Sequence, residues 1–133
     1  MRTLLDTNAY TALMRGHPFV ADRVRRSDEL LLSSVVVGEL LFGFRNGTRF
    51  EDNSGRLEIF LSNPYVTVIP VTLTTADRFG RIAANLKRKG QPIPSNDIWI
   101  AAQAMETGSE LLSFDQHFAR VDGLVWIAPP PGE

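Results

Sequence analysis

Four acidic side chains lie at positions where a folded chain of this kind could bring them to one place. Asp6 and Asp115 each follow directly after a short apolar segment, and Asp97 lies in the first turn of a predicted helix. Each of these three positions also has a purely structural explanation. An aspartate before a helix can cap it, and the helix dipole stabilises an acid in the first turn by ~0.3–1 kcal/mol. Taken one at a time, these residues therefore leave both explanations open.

Glu39 is the acid with the most unusual surroundings. It lies in the run 35–44 (VVVGELLFGF), where all the remaining residues are apolar or glycine. A helix of this composition is apolar nearly all round, so we expect it to be largely buried. A carboxylate on such a helix must be paired, protonated or bound to a metal, because isolated burial costs several kcal/mol. The alternative to a metal is an ion pair with an arginine such as Arg45 or Arg78.

Taken together, the four carboxylates predict a metal site. Clustered carboxylates repel one another and raise each other's pKa unless a cation neutralises them. The chain has no cysteine and no obvious pair of histidines, and oxygen ligands favour Mg²⁺ or Mn²⁺ over Zn²⁺. One ion, or two ions about 4 Å apart, held by carboxylates is typical of enzymes that cleave phosphodiester bonds.

The elements that must position these acids alternate between short apolar strands and helix-length segments. This alternation predicts a mostly parallel sheet with helices on both faces. In such sheets ligands bind at the carboxyl ends of the strands, which is where Asp6 and Asp115 fall. The predicted strands span residues 3–5, 29–32, 66–71, 110–113 and 124–127; the predicted helices span 7–15, 18–26, 34–45, 50–61, 74–89 and 95–107, with a single helical turn at 116–119.

Length and composition indicate one soluble domain. We expect it to cover residues 1–128, followed by a stiff, exposed Pro-rich tail at 129–133. No apolar leader is evident, and no apolar segment approaches the ~20 residues that span a bilayer, so we expect a cytoplasmic protein. The net charge is −1, but if four of the 15 acidic residues bind metal, 11 remain against 14 Lys and Arg. The rest of the surface is then mildly basic, which permits a nucleic-acid partner without requiring one.

Four short motifs that contain the acids are spread over nearly the whole chain. The first is residues 4–8 (LLDTN), and the second combines Leu32-Ser33 with residues 39–43 (ELLFG). The third and most specific is residues 94–102 (PSNDIWIAA), and the last is residues 111–118 (LLSFDQHF). In this order they resemble the motifs of the PIN-domain nucleases, and within them the VapC-type toxins of toxin–antitoxin pairs. Their order and spread make chance agreement improbable.

The resemblance implies a function and a site. Asp6, Glu39, Asp97 and Asp115 match the family's four acidic metal-site residues. It implies a three-layer α/β/α sandwich, a metal-dependent endoribonuclease acting as a toxin, a homodimer, and a cognate antitoxin whose C-terminal segment enters the active-site groove. Three further residues match the family's supporting polar positions: Asn8, Ser33 and Ser113. At the position of Ser113 the family often has threonine. His117 lies at a variable position and receives no catalytic role.

Cationic residues are candidates for contacts with the RNA backbone. For the cluster after residue 86 the alternative is a solvated helix end that satisfies the helix dipole. Trp99 could stack on a base, or equally belong to the core or a dimer interface. The candidate RNA-binding residues are Arg15, Arg45, Arg49, Lys87 and Arg88.

Other functions remain open at this point. A PIN-like domain can be a catalytically silent binding module, and DNA is an alternative substrate within the nuclease class. A phosphatase of the haloacid-dehalogenase type needs a second aspartate where this chain has Asn8. A phospho-accepting receiver domain needs adjacent acids early in the chain, which are not evident. Metal titration separates a silent module from a nuclease, because the silent module binds Mn²⁺ weakly or not at all.

Overall fold

Five parallel strands form the central sheet of the computed structural model, which describes residues 1–131. The strands are β1 (Arg2–Leu5), β2 (Glu29–Ser33), β3 (Val66–Ile69), β4 (Glu110–Leu112) and β5 (Trp126–Ile127). Six α-helices flank the sheet. They are α1 (Thr7–Met14), α2 (Pro18–Arg25), α3 (Ser34–Arg45), α4 (Phe50–Leu61), α5 (Leu73–Arg88) and α6 (Ser95–Glu106), and a 3₁₀ turn spans Gln116–Arg120. The predicted α/β/α fold is confirmed.

Local sequence signals explain where the helices begin and end. The side chains of Asp6 and Ser33 accept hydrogen bonds from backbone N–H groups in the first turns of α1 and α3. Thr72 and Thr75 form a reciprocal capping box at the start of α5. After α5, Gly90 adopts φ +67, a left-handed conformation that glycine tolerates without steric cost.

The core follows from burial of the middle strands on both faces. Leu4 and Leu5 of β1 and Leu111 and Leu112 of β4 are fully buried, as expected where helices cover both sides of a parallel sheet. The edge strands are shorter than predicted. In β3 the ladder ends at Ile69, because the next residue is a proline and has no N–H to donate.

The order of the strands creates a crevice at one point of the sheet. It is β3-β2-β1-β4-β5, so the chain first builds outward from β1 and then crosses over to place β4 on the other side of β1. At such a reversal the connections leave β1 and β4 toward opposite faces, and a crevice opens beyond their carboxyl ends. Asp6 directly follows β1, and Ser113 directly follows β4.

Two expectations about burial are wrong in detail. Only Val36 and Leu40 of α3 are buried, and Phe42 is 71% exposed, so α3 covers its neighbours with one stripe rather than all round. In the tail, Pro129 is buried and exposure begins at Pro130, while residues 132–133 lie outside the described part. Within residues 1–131, no helix is both long enough and apolar enough to cross a membrane.

A buried ion pair lies at the opposite end of the sheet from that crevice. Glu110, at the start of β4, accepts hydrogen bonds from Arg23 Nε (2.9 Å) and Nη2 (2.7 Å) and from Thr3 Oγ1 (3.1 Å). Its side chain is only 2% exposed. The hydrogen bonds from Arg23 hold the pKa of the Glu110 carboxyl below its usual range against the opposing effect of burial. This pair joins α2 to the sheet.

Candidate metal centre

Asp6 is held in place from two sides at the end of β1. Its Oδ1 accepts a hydrogen bond from Ala9 N (2.9 Å), and its Oδ2 accepts one from Ser113 Oγ across the β1–β4 boundary. The residue is 6% exposed. Burial raises the pKa of its carboxyl from 3.8 to about 6; the two hydrogen bonds oppose this rise, and the charges of Asp97 and Asp115 add to it. Asp6 therefore caps α1 and at the same time faces two other carboxylates.

Asp97 and Asp115 are joined by an imidazole ring. His117 Nε2 lies 2.6 Å from Asp97 Oδ2, and His117 Nδ1 lies 2.8 Å from Asp115 Oδ1. Each ring nitrogen therefore lies within hydrogen-bond distance of one carboxylate oxygen. Asp115 also caps the 3₁₀ turn through the backbone N–H of His117 (3.3 Å). The ring thus occupies the space between two acids, a role the sequence interpretation missed.

The electrostatics of Asp97 record the crowding of acids. Its partial burial is the main cause that raises the pKa of its carboxyl, and the charges of Asp115 and Glu39 add to the rise. The hydrogen bond and charge of His117 act in the opposite direction. Together with the effects on Asp6, these interactions show that Asp97 lies close enough to each of the other three acids for their charges to influence one another.

Glu39 lies at the edge of this group and links three helices. Its Oε1 accepts a hydrogen bond from Thr7 Oγ1 of α1 (2.7 Å), and its Oε2 accepts one from Asn96 Nδ2 of α6 (3.2 Å). Within residues 1–131 it forms no ion pair with Arg45 or Arg78, so that alternative is wrong. Neutral hydroxyl and amide donors satisfy the half-buried carboxylate instead and leave it able to bind a cation.

The three supporting polar residues have different surroundings. Ser113 is fully buried: its hydroxyl donates to Asp6 and accepts from Asp115 N (3.0 Å), so it fixes two acids at once. Ser33 caps α3 by accepting from Val35 N (3.0 Å), which orients the helix that carries Glu39. Asn8 is exposed and lines a groove of about 530 Å³ outside the acidic cluster.

The donor set fits a divalent cation. Asp97, Asp115 and His117 each offer one ligand atom, and these three atoms all lie within 4.8 Å of one another. Carboxylate oxygens and imidazole nitrogen are common ligands of divalent ions. Burial is the main cause that raises the pKa of Asp6 and Asp97, and neighbouring carboxylates add to the rise, so a bound cation would stabilise the charged form of both side chains. This observation supports a metal site without identifying the ion.

The candidate RNA-binding cations lie in several places. Arg15 is exposed beside the groove that Asn8 lines. The Arg45 guanidinium packs 4.3 Å from the centroid of the Phe50 ring, and Arg49 forms an ion pair with Asp52 (3.3 Å).

Lys87 and Arg88 are exposed at the end of α5, which the segment 89–94 joins to the start of α6 and Asp97. Lys89 is bound to Arg120 O (2.7 Å) beside the 3₁₀ turn. The cationic end of α5 therefore lies at the same end of the molecule as the acids.

Trp99 is stacked against an aromatic residue of the neighbouring helix. Its ring lies 4.1 Å from that of Phe79 between centroids, with an interplanar angle of 31°. This packing joins α5 to α6 and favours the core interpretation of Trp99 over a free platform for a base.

Comparison with known proteins identifies the class. The family model of the PIN domain matches residues 3–124, so the chain belongs to the PIN domain family. Within it, the chain is 30% identical to Ribonuclease VapC1 of Haemophilus influenzae, over 92% of this chain and 94% of that protein. It is 29% identical to the tRNA(fMet)-specific endonuclease VapC of Shigella flexneri, over 93% and 95%.

A solved structure shows the same fold. VapBC2 from Rickettsia felis, bound to a DNA fragment from its promoter, superimposes with a TM-score of 0.86 at 25% identity. The alignment covers 98% of this chain and 100% of that one. The resemblance read from the sequence motifs is therefore confirmed.

Proposed function

We propose that this protein is an endoribonuclease of the VapC type, the toxin of a toxin–antitoxin pair, which cleaves RNA with the help of Mg²⁺ or Mn²⁺. The observation that carries the proposal is the convergence of Asp6, Glu39, Asp97 and Asp115 beyond the β1–β4 boundary. The ribonucleases among the relatives, which match almost end to end, support RNA as the substrate. They also favour RNA over DNA.

The residues of the site divide the work among themselves. Asp97 and Asp115 would hold the ion, and Asp6, at the end of β1, would contribute a third negatively charged carboxylate. Such an ion supplies positive charge to a phosphodiester and lowers the pKa of a water molecule, which favours hydrolysis to a 5′-phosphate and a 3′-hydroxyl. Ser113 keeps two of these carboxylates in position by its two hydrogen bonds.

Glu39 would orient water at the edge of the site. Thr7 and Asn96 each occupy one of its oxygens from one side, and the remaining lone pairs can accept hydrogen bonds from solvent. Because the three side chains belong to three helices, their packing fixes the direction in which Glu39 presents these lone pairs. A second ion beside Glu39 is compatible with this arrangement.

The surroundings of the site suit an RNA strand and a protein partner. Lys87 and Arg88 on one side and Arg15 on another can contact phosphates, while Arg45 and Arg49 would serve more distant nucleotides. A groove of about 280 Å³ between α1, α3 and α4 is lined by apolar side chains such as Met14 and Phe44 and by the arginines Arg15 and Arg56. The four acids do not line this groove, so we expect the C-terminal segment of a cognate antitoxin to enter the active-site groove beside the acids, and we expect the toxin itself to form a homodimer.

The test is cleavage of RNA by the chain purified without any partner. Total RNA and a tRNA pool would be incubated with Mg²⁺, Mn²⁺ or EDTA, using wild type, Asp97→Asn and the control Asp77→Asn. Asp77 is an exposed acid on α5 paired with Arg81 (3.1 Å), so its substitution should leave cleavage unchanged. We expect metal-dependent cleavage that Asp97→Asn reduces at least a hundredfold. Cleavage that survives EDTA, or that Asp97→Asn leaves at the wild-type rate, would refute the proposal.

A catalytically silent module is the second candidate, and the same preparation tests it. All four acids are present, and Asp97 interacts electrostatically with each of the other three, which argues against a degenerate site. A silent module would neither cleave RNA nor bind Mn²⁺ at millimolar concentrations. Binding of Mn²⁺ that Asp97→Asn weakens would exclude it even if the RNA target were absent from the pool.

A further inference from the structure

His117 lies where a metal ligand would lie, although the resemblance to known nucleases assigns it no catalytic role. We propose that His117 is itself a ligand of the divalent ion, and that its nitrogen makes the site select Mn²⁺ over Mg²⁺. This inference rests on the metal-dependent function proposed above. Its basis is the position of the imidazole ring between Asp97 and Asp115.

The distances between the three donor atoms suit one ion. One ligand atom each from Asp97, Asp115 and His117 lies within 4.8 Å of the other two. Ligands at about 2.1–2.2 Å from an ion are separated by at most about 4.4 Å when they lie on opposite sides of it. Shifts of a few tenths of an ångström would therefore bring all three atoms onto a single ion.

The ring is anchored, so an ion between the two acids must meet it. The side chain of His117 is 18% exposed, and its ring packs edge to face on Phe118, 5.1 Å between centroids. Phe118 is buried in the core. The backbone N–H of His117 is bound to Asp115. Moving the ring aside would sacrifice these contacts, whereas coordination through one nitrogen keeps the ring in place.

An imidazole ligand changes which ion the site prefers. Mg²⁺ strongly prefers oxygen ligands, and it gives up its bound water molecules reluctantly. Affinity for nitrogen-containing sites rises from the alkaline-earth ions toward the transition metals, and imidazole is a characteristic ligand of the latter. A site with two carboxylates and one imidazole should thus bind Mn²⁺ more tightly than Mg²⁺, by a factor of about ten or more, and His117 should be responsible for the difference.

Pulsed electron paramagnetic resonance of bound Mn²⁺ tests the coordination directly. A coordinated imidazole nitrogen gives a characteristic ¹⁴N modulation, and this chain has only two histidines, His17 and His117. The protein must carry no histidine tag. The matched control is His17→Asn, because His17 caps α2 by accepting from Val20 N and asparagine can retain that cap. We expect the modulation in wild type and in His17→Asn, and its loss in His117→Gln.

Binding measurements separate a ligand from a residue that merely positions the acids. Calorimetry should show that His117→Gln weakens Mn²⁺ binding about tenfold or more and Mg²⁺ binding less than threefold. Equal losses for both ions would mean that His117 only positions Asp97 and Asp115, and would overturn the inference. So would the absence of ¹⁴N modulation in Mn²⁺-loaded wild type, its persistence in His117→Gln, or failure of wild type to bind Mn²⁺.

The outcomes also distinguish this inference from the proposed function. Metal-dependent RNA cleavage without nitrogen coordination would leave the ribonuclease intact and refute the role of His117. Nitrogen coordination in a protein that cleaves no RNA would support the role of His117 and count against the ribonuclease.

Discussion

Replacing Asp6 by asparagine should stabilise the metal-free protein at neutral and alkaline pH. A pKa of about 6 in the folded protein, in place of 3.8, corresponds to about 3 kcal/mol at about 1.4 kcal/mol per pH unit. Because the folded-state pKa is raised, the protonated carboxyl favours folding below pH 4, and this contribution is lost as the pH rises through 6. Asparagine stays neutral throughout and can still cap α1. We therefore expect Asp6→Asn to exceed wild type by about 2–3 kcal/mol at pH 8 and to match it near pH 4.

Urea unfolding in EDTA between pH 4 and pH 8 measures this difference. The control is again Asp77→Asn, an exposed acid that should follow the wild-type curve at every pH. Adding Mn²⁺ should reverse the order, because the ion binds the folded wild type more tightly than the variant and stabilises it by mass action. If the difference in unfolding free energy between Asp6→Asn and wild type does not change with pH, the raised pKa of Asp6, and with it burial and carboxylate repulsion, cannot be the cause of that difference.

Three further perturbations have expected outcomes. Glu110→Gln should destabilise the protein at pH 7 by about 2–4 kcal/mol in chemical denaturation, since it leaves Arg23 without its buried, charged partner. Because the pKa of Glu110 is lowered in the folded protein, this loss of stability should shrink as the wild type is acidified through that pKa. An undiminished loss at low pH would contradict the ion-pair explanation. Ser113→Ala should weaken Mn²⁺ binding and RNA cleavage about 10–100-fold, whereas Ser113→Thr, which keeps the hydroxyl, should retain most of both. Equal losses in the two variants would show that the hydroxyl is not what positions the acids. Lys87→Ala with Arg88→Ala should reduce the salt dependence of binding to a non-cleavable RNA by a slope of about 1–2 in log Kd against log salt; an unchanged slope would place the RNA elsewhere.

Most of the fold could be predicted because local signals and topology agree in this chain. Apolar segments separated by helix-length segments specify the parallel sheet, and capping residues such as Ser33 and Thr72 mark helix starts. The exception was α3, whose apolar composition suggested burial all round. Its exposed Phe42 shows that composition alone cannot tell which side of a helix meets the sheet and which side is left for solvent or a partner.

The details of the site could be predicted only in part, because they depend on contacts between distant segments. Strand order could place Asp6 and Asp115 at one edge of the sheet, but not the contacts of Thr7 and Asn96 with Glu39, which arise where three helices pack. The role of His117 was missed for the same reason, since Asp97 is 20 residues away in sequence. The one local signal was the spacing of Asp115 and His117, which puts both at the start of the same short turn.

The structural and functional explanations of the acids, which looked like alternatives in the sequence, describe the same side chains. Asp6 caps α1 with one oxygen and receives Ser113 on the other, and Asp115 caps the 3₁₀ turn while facing His117. An N-cap residue has an extended backbone, as Asp6 and Asp115 have, and both residues follow strands whose carboxyl ends lie where the crevice opens. The geometry that starts a helix thus also aims a carboxylate into the site. Because asparagine caps as well as aspartate does, Asp→Asn changes at Asp6 and Asp115 remove the charge from the site while keeping the helix start.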